Sequence, residues 1–167
     1  INLSAKILVP SLYMKWLLIQ HDVDESKCIV SPVKGEVSKQ ANHYSLSNNI
    51  VCLCDDLESS DLDNILLSIG GTGQRFEVNI FSKKNIDIEY EKLIQIELPL
   101  CNITFHQEFD LLNIVKYMNN SSLTVFAGMN SYDDSILGTM AMQANTLVLA
   151  VDTQVRREWI TDQENGF

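Results

Sequence analysis

The chain has 167 residues, with 12 Lys and Arg against 22 Asp and Glu for a formal charge of −10, and 46% of its residues are hydrophobic. That length suits one domain, in which roughly 70% of the unfolded surface can be buried, and the ordinary apolar fraction excludes wholesale disorder. A pI near 4.6 argues against nucleic-acid binding, because a phosphate backbone would meet net repulsion.

In chain order, Ala5 to Val9 reads as a short strand. Pro10-Ser11 opens a helix in which Leu12, Trp16 and Ile19 recur at helical spacing as far as His21. Asp22 to Lys27 is turn-like, Cys28 to Val30 is a second short strand, and Lys34 to Asn49 is a polar linker. From Asn49 a regular alternation begins. Ile50 to Cys54 is an apolar strand; Ser59 or Ser60 then caps a helix carrying Leu62, Ile65, Leu66 and Ile69, which Gly70-Gly71 closes. Phe76 to Phe81 is a strand, and Ile86 to Leu98 fits a helix with Glu89, Glu91 and Lys92 on its solvated face. Ile103 to Phe105 is a strand, followed by a helix through Phe109, Leu112 and Val115 that stops at Asn119-Asn120. Leu123 to Phe126 is a strand, Asp134 to Ala144 a helix and Thr146 to Val151 a strand.

Short apolar strands alternating with helices predict an α/β fold: a Rossmann-like, doubly wound parallel sheet with helices on both faces. Ligands in such sheets sit beyond the carboxyl ends of the strands. The loops that matter are then Asp55 to Ser60, Ser82 to Asn85, His106 to Glu108, Ala127 to Asp134, and the residues after Asp152.

Leu147 to Val151 is typical of the longest apolar stretches, all far short of the ~20 residues of a membrane span. No secretory signal opens the chain, and a start at Ile1 without Met reads as a piece of a larger polypeptide. Cys28, Cys52, Cys54 and Cys101 form no CxxC pair, so they read as reduced thiols of a cytoplasmic protein rather than metal ligands. Without a secretion signal, the sequon matches at Asn2-Leu3-Ser4, Asn102-Ile103-Thr104 and the Asn119-Asn120 run read as chance in an Asn-rich chain.

Gly70-Gly71-Thr72-Gly73 follows a helix and precedes a strand, the wrong order for a phosphate cradle, and reads as a turn. His21, His43 and His106 are scattered, and only His106 stands at the carboxyl end of a strand, within a ligand's reach. Asp55, Asp56, Glu58, Asp61 and Asp63 form an acidic patch where a helix begins; it could bind a cation or a basic partner, but a solvated helix N-terminus where acids favour the dipole is the better reading. Asp134 or Ser135 would cap the helix that follows Tyr132.

The order of motifs becomes specific towards the end of the chain. Asn102-Ile103-Thr104-Phe105-His106, Leu123-Thr124-Val125-Phe126-Ala127, Thr139-Met140-Ala141-Met142 and Val155-Arg156-Arg157-Glu158-Trp159-Ile160 to Gly166-Phe167 stand in one order. In that order the segment from Asn102 to Phe167 resembles the nucleotide-sugar-binding half of family 4 glycosyltransferases of the two-domain GT-B fold. His21 to Val30 is similar to the family's passage between its domains, and Asn49 to Ile69 to the first strand and helix of the donor half. The resemblance implies that residues 1–45 are an interdomain crossover of strand, helix and linker, and 46–167 a donor-type domain. It also implies an acceptor-binding domain before Ile1 and closing helices after Phe167.

Active members of that family carry two glutamates separated by seven residues, one holding the sugar and one the ribose. The resemblance puts them at Asn130 and Gly138, or at Ser131 and Thr139, and neither register supplies a carboxylate. The family's Arg and Lys for the diphosphate fall in Asp55-Asp56-Leu57-Glu58-Ser59-Ser60, where acids stand in place of cations. The implied reading is a degenerate, non-catalytic domain that binds or stabilises within a protein- or polysaccharide-glycosylation system. Its partners would be a catalytic glycosyltransferase subunit and a polypeptide acceptor. The alternative is an active retaining transferase using a nucleotide-diphosphate sugar. In it, Asn130, Ser131, Tyr132 and Ser135 would bind sugar hydroxyls, with the phosphates on amides of the Asp134 helix. Asp134, Gly138, Thr139 and His106 complete the candidate substrate-binding set; no catalytic residue, metal or resident cofactor is expected.

Overall fold

The computed structural model describes residues 6–9, 12–31, 47–54, 60–84, 87–107, 109–128, 133–153 and 156–160. Among these, the first unit consists of β1 (Ile7–Val9), α1 (Leu12–Gln20), a 3-10 turn (Glu25–Lys27) and β2 (Cys28–Val30). The two strands pair in parallel with Leu8 opposite Ile29. Val9 and Cys28 are buried, whereas Leu8 is 70% exposed, so one face of this small sheet is open. Asp24 caps the 3-10 turn by accepting from the Ser26 amide at 2.9 Å. Most of the polar stretch read as a linker lies outside the described residues.

The second unit is β3 (Asn49–Cys54), α2 (Ser60–Gly71), β4 (Glu77–Ser82), α3 (Ile88–Glu97), β5 (Asn102–His106), α4 (Leu111–Met118), β6 (Leu123–Ala127), α5 (Asp133–Gln143) and β7 (Leu147–Ala150). The strands form a five-stranded parallel sheet in the order β5-β4-β3-β6-β7. This is the Rossmann-like α/β sheet expected from the alternation of elements.

Side chains on a strand alternate between faces, and β3 shows the consequence. Ile50, Cys52 and Cys54 join Leu62, Leu66 and Ile69 of α2, Ile94 of α3 and Leu98 at its C-cap in one core. Val51 and Leu53 join Ile114 and Met118 of α4 and Leu137 and Ala141 of α5 in the other. A strand covered on both sides must be apolar throughout, which is why 50–54 reads as an unbroken hydrophobic run. The cysteines are packing residues: Cys28, Cys52 and Cys54 are buried as free thiols. Burial in this apolar core also pushes the Cys52 thiol far above its ordinary range.

The segment 86–98, expected as a helix, is helical over Ile88–Glu97. Asp87 caps α3 by accepting from the Glu89 amide, and Ile94 and Leu98 repeat at i, i+4 against the sheet. Asp110 caps α4 in the same way, accepting from the amides of Leu112 and Asn113. The glycine cluster divides its work. Gly70 and Gly71 end α2, and Gly70 gives the close approach to Leu98, whose Cδ2 a Cβ there would overlap. The left-handed residue that turns the chain towards β4 is Gly73, at φ 68°.

Candidate functional site

The strand order fixes where a crevice must open. From β3 the chain moves outward on one side through β4 to β5, then returns across the sheet to β6 and β7 on the other side. The direction reverses between β3 and β6, whose last residues, Cys54 and Ala127, are paired neighbours. Helices leaving the two strands diverge to opposite faces there, and the gap between them is the ligand crevice of an open α/β sheet. Beyond Cys54 the chain enters 55–59 and then α2; beyond Ala127 it turns at Gly128, φ 63°, and enters α5. Two helix N-termini, α2 on one face and α5 on the other, therefore stand at this opening. The positive end of a helix dipole favours anions.

Asn130, Ser131 and Tyr132 lie outside the described residues, as do Asp55, Asp56 and Glu58. Asp134 and Ser135 are in the first turn of α5, which begins one residue earlier than expected, at Asp133. Gly138 and Thr139 follow in its second turn. Gly138 faces inward: a Cβ on it would overlap three ring carbons of Trp159. Trp159 also meets Phe126 edge to face, with ring centroids 5.4 Å apart.

His106 is held elsewhere. It ends β5, the edge strand, two strand positions from β3, or about 10 Å at ordinary strand spacing. Its ring stacks on Phe81 at 4.2 Å and meets Tyr117 edge-on at 4.8 Å. Its Nε2 lies 3.0 Å from Asn79 Oδ1, within hydrogen-bond distance. Partial burial lowers the imidazole pKa below its ordinary 6.5, which favours the neutral ring. The structure thus seats His106 on the edge strand, in an aromatic cluster between sheet and α4, while Gly138 and Thr139 lie in α5.

The acidic patch is also partly structural. Asp63 accepts a 2.7 Å hydrogen bond from the Tyr90 hydroxyl and so joins α2 to α3. Among the described residues, no group of three His, Cys, Asp or Glu side chains is arranged to hold a metal ion. No described helix is long and apolar enough to cross a membrane.

Two residues outside the expected set matter at this end of the sheet. Arg156, 2% exposed, donates from Nη1 to the Val151 carbonyl at 2.8 Å and lies 5.9 Å from the Phe126 ring centroid. Trp159 covers Gly138. Both stood in the motif from Val155 to Ile160, but spacing alone gives neither residue's target.

No protein-family model and no curated protein matches this sequence. Solved structures do match it. A TarM structure is 12% identical over 97% of this chain and 32% of its own, with a TM-score of 0.65. An S. aureus TarM mutant in complex with Fondaparinux, alpha-GlcNAc-glycerol and UDP gives 14% identity and a TM-score of 0.67. Anabaena HepE in complex with UDP-glucose is 13% identical over 99% of this chain and 50% of its own, with a TM-score of 0.64. A Neisseria meningitidis UDP-GlcNAc 2-epimerase bound to UDP-GlcNAc is 20% identical, with a TM-score of 0.55. The chain spans between a third and a half of the length of these structures. At such identities the likeness is one of fold. By fold, this chain is a Rossmann-like half of the GT-B type.

Proposed function

We propose that the chain is a glycosyltransferase-like domain that keeps the fold of a nucleotide-sugar-binding half and lacks donor chemistry of its own. Its role is then to bind or stabilise within a glycosylation system, beside a catalytic transferase subunit and a polypeptide acceptor. The observation that carries this reading is the pairing of Gly138 with Trp159. In the register that aligns the second family glutamate with Gly138, the indole fills the space a side chain would need. A glutamate there would have to displace a packed aromatic ring.

The charges support the same reading. Asp55 and Asp56 follow directly on Cys54, the end of the central strand at the switch point. A departing phosphate accumulates negative charge, and carboxylates beside it raise the barrier. A loss of ~3 kcal/mol in transition-state stabilisation is about a hundredfold in rate. The unit over 7–30 would belong to the crossover between this domain and an acceptor-binding one. The division at residues 45 and 46, like the cytoplasmic setting suggested by free thiols, belongs to this same proposal.

Thermal unfolding of the full polypeptide with millimolar UDP-glucose or UDP-GlcNAc tests the reading, because a ligand that binds the native state raises Tm. The expected result is no shift. A saturable rise with one donor would overturn it in favour of the active retaining transferase. The two helix N-termini at the switch point are the feature that favours that second reading.

A further inference from the structure

The segment that follows β7 touches both units of the chain, and its three contacts point in different directions. Arg156 is buried against Phe126 and holds the Val151 carbonyl. Trp159 lies on Gly138 of α5 and against Phe126 of β6. Between them, the exposed Glu158 reaches the other unit. Its Oε2 accepts a 2.7 Å hydrogen bond from the amide of Leu12, the first residue of α1.

That contact joins a carboxylate to the positive end of a helix dipole, and α1 has no acidic residue of its own in its first turn. Among the described elements, β1, α1 and β2 make their larger contacts with one another, and β3 to β7 with one another and their own helices. Units whose larger contacts lie within themselves move relative to one another unless something holds them.

We propose that residues 156–160 are an orientation latch: Arg156 and Trp159 grip the five-stranded layer at Phe126 and Gly138 while Glu158 caps α1. The attitude of the small unit is then set by this segment and follows α5. Because α5 begins at the switch-point crevice, an occupant that shifts α5 would turn the small unit through Gly138 and Trp159. Only this last coupling to a ligand rests on the proposed nucleotide-sugar fold; the latch itself does not.

The test uses spin labels on the full polypeptide at Gln20→Cys, ending α1, and Gln143→Cys, ending α5, with Cys101→Ser to remove the half-buried thiol. The unliganded protein should give one narrow distance distribution. Glu158→Ala should broaden it roughly twofold with far-UV circular dichroism unchanged, as freed units sample more orientations. Gly138→Ala, which displaces Trp159 and leaves Glu158 in place, should broaden it as well; if that variant does not fold, Trp159→Phe replaces it. A distribution already broad in the parent, or one still narrow in folded Glu158→Ala, overturns the latch. A narrow distribution in the folded Gly138→Ala or Trp159→Phe protein overturns the grip of Trp159 on α5. All of these readings are made without nucleotide, so they stand or fall apart from the donor-binding experiment.

Discussion

Trp159 rests on Gly138 with no room for a methyl group between them, although 21 positions separate the two in the chain (159 − 138). A glycine inside a helix is ordinarily a weakness of about 1 kcal/mol relative to alanine. Here it creates the recess in which the indole sits and through which the chain after β7 is fastened to α5.

The glycines therefore respond differently to the same substitution. Gly138→Ala is expected to destabilise by about 1–3 kcal/mol through overpacking against a rigid ring. Gly70→Ala meets only the flexible end of Leu98 and should cost less. Gly71→Ala meets nothing within 4 Å and should stabilise by up to ~1 kcal/mol. Urea unfolding midpoints of the three variants check this order.

His106 predicts an acid-side dependence. Its folded pKa lies below the ordinary 6.5, so the unfolded chain binds the proton more readily. Its contribution is fully present above pH 6.5 and is lost as pH falls through the lower, folded value. Replacing it with phenylalanine keeps a ring against Phe81 and Tyr117 and should flatten the slope between pH 5 and 7. Urea midpoints across that range measure it; an unchanged slope would place the effect in other groups.

Tyr90 predicts the opposite limb. Burial and the Asp63 carboxylate push its phenol well above the ordinary 10, so folding opposes its ionisation. Stability should be full below pH 10 and decline as pH rises beyond it. Tyr90→Phe should cost about 1–2 kcal/mol at neutral pH by removing a hydrogen bond to a charged acceptor. The same variant should unfold less steeply with alkali, as fluorescence-monitored unfolding at pH 7 and 11 would show.

At the amino end of β6, buried hydroxyls meet. Thr146 Oγ1 lies 3.1 Å from Thr124 Oγ1 and 3.4 Å from Ser121 Oγ. Thr146→Val preserves shape but takes a partner from the buried Thr124 hydroxyl, while Ser121 keeps its bond to the Met118 carbonyl, and should cost about 1–3 kcal/mol. Calorimetric Tm values of this variant and the Thr124→Val, Thr146→Val double variant check it: the double change should recover part of the loss.

The chain by itself determined the architecture, because local periodicity is what builds it. The unbroken apolar run at 50–54 required a strand covered on both faces, and Leu62, Leu66 and Ile69 required a helix facing it. Strand order, and with it the crevice between Cys54 and Ala127, depends on pairing between distant segments and was settled only in three dimensions. The same holds for side-chain targets. His106 was legible as the end of a strand, yet only the assembled sheet shows that strand at the edge, with Phe81, Asn79 and Tyr117 around the ring. Gly138 was legible as a missing glutamate, and Val155 to Ile160 as a motif, but their meeting is a contact between surfaces. Periodicity reports which face of an element is buried; what it is buried against is decided by packing.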